Sequence, residues 1–254
     1  MKKLMFALVA AGAAAAMATD GIESSNTVGY QNREIGSFNL TLDTFIDAKG
    51  GTGVLGDLKP NAAFIAAAGT LQTFTAAGKA GPVYLYINDP ELMEIFEAPE
   101  GWYITTDDEM TTPKNSEPLP FTMGFVSKSS GAGSALTYAG EVKGTATEIP
   151  VGTFTLTGNC SPKDLTLGDF TPNAAFIAAA GTVQTFTVAG KAGPVYLYIN
   201  DPELMEIFEA PEGWYITTDD EMTDCKNAVP LSAGDAFVAK SSGSGSTLSI
   251  PSAK

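Results

Sequence analysis

Short runs of β-favouring residues alternate along this chain with clusters of Gly, Pro and Ser, a spacing typical of small antiparallel sheets. Within many runs a hydrophobic side chain recurs at every second position, as a strand with one buried face requires. The pattern predicts strands at 34–42, 70–76, 83–88, 102–105, 123–128 and 134–138, and at the equivalent positions later in the chain.

The run Val-Tyr-Leu-Tyr-Ile at 83–87 is apolar at every position, with the tyrosines on one face and the aliphatic side chains on the other. Such a strand is expected between the main core and a second apolar layer.

Two segments fit more than one element. Residues 61–68 are Ala-rich after Pro60 and predict one or two helical turns that stop at Gly69. Residues 89–97 begin with an Asp and a Pro suited to a helix start, but Leu92, Glu94 and Phe96 alternate as they would in a strand. We favour strand or irregular structure there, with a helix as the alternative.

The chain contains a long internal repeat. Residues 60–111 match residues 172–223 at 50 of 52 positions, and at the same offset of 112 residues 112–138 match 224–250 without gaps at 13 of 27 positions. A period of that length is a whole domain and not a solenoid repeat. Near identity over one block indicates recent duplication or sequence exchange, or else a function needed in both copies.

About seven β segments in a unit of roughly 110 residues are typical of a small all-β domain. We therefore predict an all-β protein with two tandem copies of a small β-sandwich or partly open β-barrel. Copy 1 would span 19–138 and copy 2 would span 139–254, after a signal peptide at 1–18.

The N-terminus has the three parts of an export signal: basic Lys2 and Lys3, an apolar Ala-rich run, and Ala16-Met17-Ala18 before a polar segment. About 15 apolar residues fall short of the roughly 20 that span a bilayer. We predict cleavage after Ala18 and a mature chain that is exported to the periplasm, cell surface or exterior, without membrane insertion.

Composition removes many familiar activities. The chain has no His and one Arg, Arg33, which excludes Ser-His-Asp and Cys-His systems and His-ligated zinc. The formal charge of −15 disfavours nucleic acid as a partner. Gly51-Thr52-Gly53-Val54-Leu55-Gly56 matches a dinucleotide fingerprint only in form, because Pro60 follows and copy 2 has no equivalent. We expect no enzyme activity and no cofactor.

Acidic residues raise two further possibilities. The triplets 107–109 and 219–221 follow a strand, where calcium sites often form, but a solvated acidic turn explains them more simply and we predict no metal site. Glu91, Glu94, Glu97 and Glu100 are the candidates for glycoside hydrolysis, which needs two carboxylates at a set separation.

Both cysteines, Cys160 and Cys225, lie in copy 2. Two thiols gained in one copy of an exported protein favour a disulfide between them, with two free thiols as the alternative.

Aromatic residues supply the candidate binding site. Trp102 and Tyr103 recur as Trp214 and Tyr215, and such residues can form exposed platforms that stack on sugars. The alternative is that each Trp belongs to the core of its small β domain.

The mature start, with Asn26-Thr27-Val28-Gly29-Tyr30-Gln31, precedes a Gly-x-Phe strand, Thr-x-Gln strands at 70–72 and 182–184, Gly-Trp-Tyr segments at 101–103 and 213–215, and Gly-x-x-Phe-Val at 234–238. This series resembles exported tandem-repeat β proteins of unknown function from the Verrucomicrobia and Kiritimatiellae group. The resemblance implies export and a repeated β domain.

These observations favour an exported, non-enzymatic structural or surface-associated protein, with unknown partners among which glycans and envelope proteins are candidates. A pair of carbohydrate- or protein-binding modules is the alternative, since duplication would provide avidity.

Overall fold

The computed structural model describes residues 27–41, 53–75, 78–107, 110, 112–120, 122–187, 190–219, 221–222 and 224–252. The predicted signal peptide at 1–18 lies outside the described residues, as do residues 108, 109 and 220 of the acidic triplets.

Copy 1 contains short strands and two short helices. In chain order the strands are β1 (Thr27–Glu34), β2 (Asn39–Thr41), β3 (Lys59–Pro60), β4 (Thr70–Phe74), β5 (Ala80–Ile87), β6 (Gly101–Ile104), β7 (Phe125–Lys128) and β8 (Ala135–Val142). Helix α1 (Ala62–Ala66) lies between β3 and β4, helix α2 (Pro90–Ile95) lies between β5 and β6, and a 3-10 turn spans Leu55–Asp57.

Copy 2 repeats this series of elements. Its strands are β9 (Thr147–Pro150), β10 (Thr155–Gly158), β11 (Leu165–Thr166), β12 (Thr171–Pro172), β13 (Thr182–Phe186), β14 (Ala192–Ile199), β15 (Gly213–Ile216), β16 (Pro230–Leu231), β17 (Ala236–Lys240) and β18 (Thr247–Ile250). Helices α3 (Ala174–Ala178) and α4 (Pro202–Ile207) and a 3-10 turn at Leu167–Asp169 correspond to those of copy 1.

Strand pairing is antiparallel and follows the same order in both copies. The three-stranded sheet β1-β8-β3 matches β9-β18-β12, and the five-stranded sheet β2-β7-β4-β5-β6 matches β10-β17-β13-β14-β15. The small pair β11-β16 corresponds to a single bridge between Val54 and Pro118. The sheets form a propeller-like ring of four small blades. The predicted all-β class is therefore confirmed.

The core of copy 1 contains side chains from both of its sheets. One cluster joins Leu136 and Tyr138 of β8 to Leu71, Tyr84 and Trp102 of the five-stranded sheet. A smaller cluster on the other face of β5 and β6 joins Ile87 and Tyr103 to side chains from α2 and the chain that follows it. Strand β5 therefore lies between two apolar layers, as its sequence predicts.

Helix α1 begins where the sequence places it, because Asn61 binds three backbone groups. Its Oδ1 accepts from the Phe64 N–H (2.9 Å) and the Ala135 N–H (3.1 Å), and its Nδ2 donates to the Gly133 carbonyl (2.8 Å). One side chain thus caps the helix and attaches it to β8.

The preference for strand or irregular structure at 89–97 is wrong, because α2 is a helix. The Asp89 side chain accepts from the N–H groups of Glu91 (2.8 Å) and Leu92 (3.2 Å), and Pro90 occupies the first helical position. Capping and a favourable Pro outweigh the alternation of apolar residues.

The predicted strand 34–42 is divided in two. β1 ends at Glu34 and β2 begins at Asn39, whose Oδ1 accepts from the Gly36 N–H (2.7 Å) and closes the turn between them. The chain also continues as a strand beyond the predicted end of copy 1 at 138, since β8 runs to Val142 in register with β1.

The two copies contact each other reciprocally. Phe38 of copy 1 lies against Gly190 in the β13–β14 hairpin, and Phe154 of copy 2 lies against Gly78 in the β4–β5 hairpin. Arg33 of β1 reaches into copy 2, where it donates to the Ala233 carbonyl (2.9 Å) and pairs with Asp235 (2.5 Å). Contacts of this kind are expected between units that pack in a fixed arrangement.

Candidate functional site

Both tryptophans lie in the core and are 0% exposed. The Trp102 Nε1–H donates to the Leu58 carbonyl (3.1 Å), and the Trp214 Nε1–H donates to the Phe170 carbonyl (3.1 Å). The rings of Trp102 and Tyr86 pack edge to face, with their centroids 5.2 Å apart. Of the two alternatives for the tryptophans, an exposed binding platform or a core residue, the structure supports the core residue, because neither ring faces solvent.

Tyr103 and Tyr215 lie on the opposite face of the sheet from the tryptophans, under α2 and α4, and are also buried. Their hydroxyls donate to the carbonyls of Pro99 (2.5 Å) and Pro211 (2.6 Å). Burial raises the pKa of Tyr103, and burial with a hydrogen bond to Cys225 raises the pKa of Tyr215 to about 12. These tyrosines support the fold and are inaccessible to a ligand.

The two cysteines are free thiols, which corrects the predicted disulfide. Cys160 is buried in the main cluster of copy 2, whereas Cys225 packs beside Tyr215 in the separate cluster beneath α4. Strand β15 has Trp214 in the first cluster and Tyr215 in the second, so its two faces divide these regions. Burial raises the pKa of the Cys160 thiol to about 12, so it stays protonated near neutral pH.

The carboxylates proposed for glycoside hydrolysis lie on the surface. Glu91, Glu94, Glu97 and Glu100 are all exposed. Glu100 accepts a hydrogen bond from the buried Tyr86 hydroxyl (2.7 Å), as Glu212 does from Tyr198 (3.0 Å). Glu100 thus has a structural partner, and the exposure of all four carboxylates keeps them out of the water-excluding pocket that catalytic acids need.

A small cavity with a volume of about 210 Å³ lies beside the β4–β5 hairpin. Its walls include Phe74, Met123 and Pro118, and its one charged side chain is Glu117. Copy 2 has Val229 at the position of Glu117, so this charge is not repeated.

The exposed large hydrophobic side chains among the described residues are concentrated on α2 and α4. Ile95 is 71% exposed and Leu92 is 42% exposed, and their counterparts Ile207 and Leu204 are 70% and 41% exposed. Sequence reasoning missed this feature because it favoured strand or irregular structure at 89–97. Reading the Asp-Pro start as a helix would place Leu92 and Ile95 three residues apart on one face.

Negative charge is concentrated around the same helices. No Lys or Arg occurs between Lys79 and Lys114 or between Lys191 and Lys226, yet these two segments hold 17 of the 29 acidic residues. The rest of the chain has 12 acidic and 14 basic residues. The segments around α2 and α4 therefore carry all of the net negative charge.

The chain matches no family model, no curated protein and no solved structure. In the described part of the chain, no helix is long and apolar enough to cross a membrane. Those same residues contain no group of three or more Cys, Asp or Glu side chains placed to hold a metal ion.

Proposed function

We propose that this chain is an exported, non-enzymatic structural or surface-associated protein that acts by presenting its surface. The observation that carries the proposal is the placement of its reactive side chains: the aromatic candidates are buried in the core and the carboxylate candidates are exposed to solvent. The signal at 1–18 and the resemblance to exported bacterial β proteins support the location.

We propose further that each copy is a two-sheet domain, with the three-stranded sheet packed on the five-stranded sheet in the manner of a small sandwich. The shared cluster between the sheets of copy 1 supports this unit. We place the boundary in the segment 143–146 between β8 and β9, because β8 continues through the boundary at 138 that the sequence suggested.

A test of the proposed function uses the purified mature chain in a broad glycosidase and esterase panel beside a glycan-binding screen. We expect no turnover. A double variant, Glu94→Gln with Glu206→Gln, is the matched control for any trace activity. Turnover that this variant abolishes would contradict the proposal.

A pair of protein-binding modules is the second candidate function. The exposed apolar side chains of α2 and α4 favour it, whereas the two tryptophans are buried and cannot stack on a glycan. The two functions are compatible, because a surface-associated protein holds its partners through such sites.

A further inference from the structure

Helix α2 is apolar on two sides. Met93 and Phe96 pack into the cluster with Ile87 and Tyr103, which attaches the helix to the outer face of β5 and β6. Leu92 and Ile95 lie outside this cluster and are 42% and 71% exposed. Side chains three residues apart are neighbours on a helix, so Leu92 and Ile95 form one continuous apolar ridge.

Helix α4 repeats this arrangement with Met205 and Phe208 inside and Leu204 and Ile207 outside. We call each exposed Leu and Ile pair an outer ridge. Single apolar residues scattered on a surface need no explanation. Here, however, the exposed large hydrophobic side chains of the described chain are confined to two equivalent ridges.

Each outer ridge is surrounded by acidic side chains. Around α2 these are Asp89, Glu91, Glu94, Glu97 and Glu100, and all five are exposed. With no basic residue between Lys79 and Lys114, the segment gives the ridge a negative rim and contributes no positive charge of its own. A rim of one sign attracts partners of the opposite sign and repels those of its own.

We propose that the two outer ridges are docking sites for a protein segment that carries large apolar side chains flanked by Lys or Arg. The partner's apolar side chains would remove Leu92 and Ile95 from water, and its basic groups would pair with the surrounding glutamates. The inference deepens the proposed function by naming the class of partner that the presented surface takes.

Charge also disfavours the other occupants. A second copy of this chain would bring two acidic rims together, and nucleic acid or an anionic lipid surface would be repelled in the same way. A polycation without apolar groups would be attracted by the rim alone and would gain nothing from the ridge. The apolar contribution is therefore the feature to test.

The experiment uses three fluorescent helical peptides and the full mature chain. The first peptide has Leu on one face and Lys elsewhere, the second replaces Leu with Ser, and the third replaces Lys with Glu. We expect the Leu/Lys peptide to bind at least roughly tenfold more tightly than either control, because it alone has both complementary features. Fluorescence anisotropy measures the affinities, and titration calorimetry should give two peptides per chain.

Two double variants separate the apolar and charged contributions. Ile95→Ser with Ile207→Ser should weaken binding of the Leu/Lys peptide roughly tenfold and leave the salt dependence unchanged. Glu94→Gln with Glu206→Gln should weaken binding and reduce its salt dependence. Glu117→Gln with Glu148→Gln neutralises exposed acids elsewhere and should leave the affinity unchanged.

The isoleucines are about 70% exposed, so their replacement should preserve the fold, and unchanged thermal unfolding confirms that each variant is intact. Equal affinity for the Leu/Lys and Ser/Lys peptides, or full binding by the isoleucine variant, would overturn the proposal. So would self-association that the isoleucine variant abolishes, since a second copy would then cover the ridges. Enzymatic turnover or a cytoplasmic location of the chain would instead contradict the proposed function. The peptide titration measures neither of these, so the two proposals are tested separately.

Discussion

Ser127 is a buried polar residue that destabilises the fold. It is 0% exposed on β7, and its hydroxyl has no hydrogen-bond partner among the described residues. An unsatisfied buried hydroxyl costs about 1–3 kcal/mol. The position 112 residues later is Ala239, which is equally buried and has no hydroxyl to satisfy.

We therefore expect Ser127→Ala to leave the free energy of unfolding unchanged or to raise it by about 1 kcal/mol. The reverse change, Ala239→Ser, should lower the free energy of unfolding by about 1–3 kcal/mol, because it buries a new hydroxyl. Urea unfolding of both variants measures the two values. Clear destabilisation by Ser127→Ala would show that the hydroxyl has a partner.

The cysteines give a second residue-scale prediction. Burial protects Cys160 and raises its pKa to about 12, whereas Cys225 is partly exposed. A thiol reagent at neutral pH should modify one cysteine quickly in the native chain and both after denaturation. Mass mapping should place the fast label on Cys225. Zero thiols under denaturing, non-reducing conditions would restore the predicted disulfide.

Residue type predicts whether a side chain is buried more readily than it predicts the cluster in which the side chain lies. The tryptophans were expected either in the core or on a platform, and the sequence left both open. Their burial depends on partners distant in the chain, such as the Leu58 carbonyl, 44 residues before Trp102. Separation of the two cysteines likewise depends on the two faces of β15, which only the tertiary arrangement defines.

At the scale of elements, strand positions were predictable because alternation and turn residues are local signals. Strands β4 to β8 overlap the predicted segments. Helix α2 was the less favoured alternative, because in a six-residue element an apolar alternation and a helical cap are signals of similar strength. The outer ridges were missed as a consequence, since their residues share a face only in a helix.

The end of α2 gives a prediction with a matched control. Glu97, the second residue after α2, has a φ of 49°, the left-handed conformation that favours glycine. Glu97→Gly should raise the free energy of unfolding by roughly 0.5–1 kcal/mol. Glu94→Gly, inside the helix, should lower it by about 1 kcal/mol. Chemical unfolding measures both changes, and the same sign for both would contradict this description of the helix end.

At the scale of the whole molecule, the contacts between the copies depend on two glycines. Gly78 and Gly190 have φ values of 73° and 71°, and a Cβ at either position would overlap a phenylalanine ring from the other copy. Gly133 has a φ of 72° but no atom within 4 Å of an added Cβ. Comparing these positions separates backbone strain from the contact between copies.

We expect Gly133→Ala to lower the free energy of unfolding by about 1–2 kcal/mol through backbone strain alone. Gly78→Ala should cost about 1–3 kcal/mol more, because the new methyl group also displaces Phe154. Thermal and urea unfolding of the two variants gives the difference. Equal costs would indicate that the copies do not pack against each other in solution.

The internal repeat predicted equivalent elements in both copies, but not the ring in which they lie. The repeat does not predict that Phe38 contacts Gly190 of the other copy. Phe38 has the counterpart Phe154 in copy 2, and Gly190 has the counterpart Gly78 in copy 1, so a contact within each copy would fit the sequence equally well. The single Arg illustrates the same point: its pairing with Asp235 spans 202 residues and joins non-equivalent positions.

The measurement that tests the central claim most directly is the location and N-terminus of the chain in the cells that produce it. Fractionation followed by N-terminal sequencing should find a mature chain that begins at Thr19 and lies outside the cytoplasm. Replacing Ala16 and Ala18 with Gln should block the cleavage and provide the control. A full-length chain in the cytoplasm that still carries residues 1–18 would contradict the account.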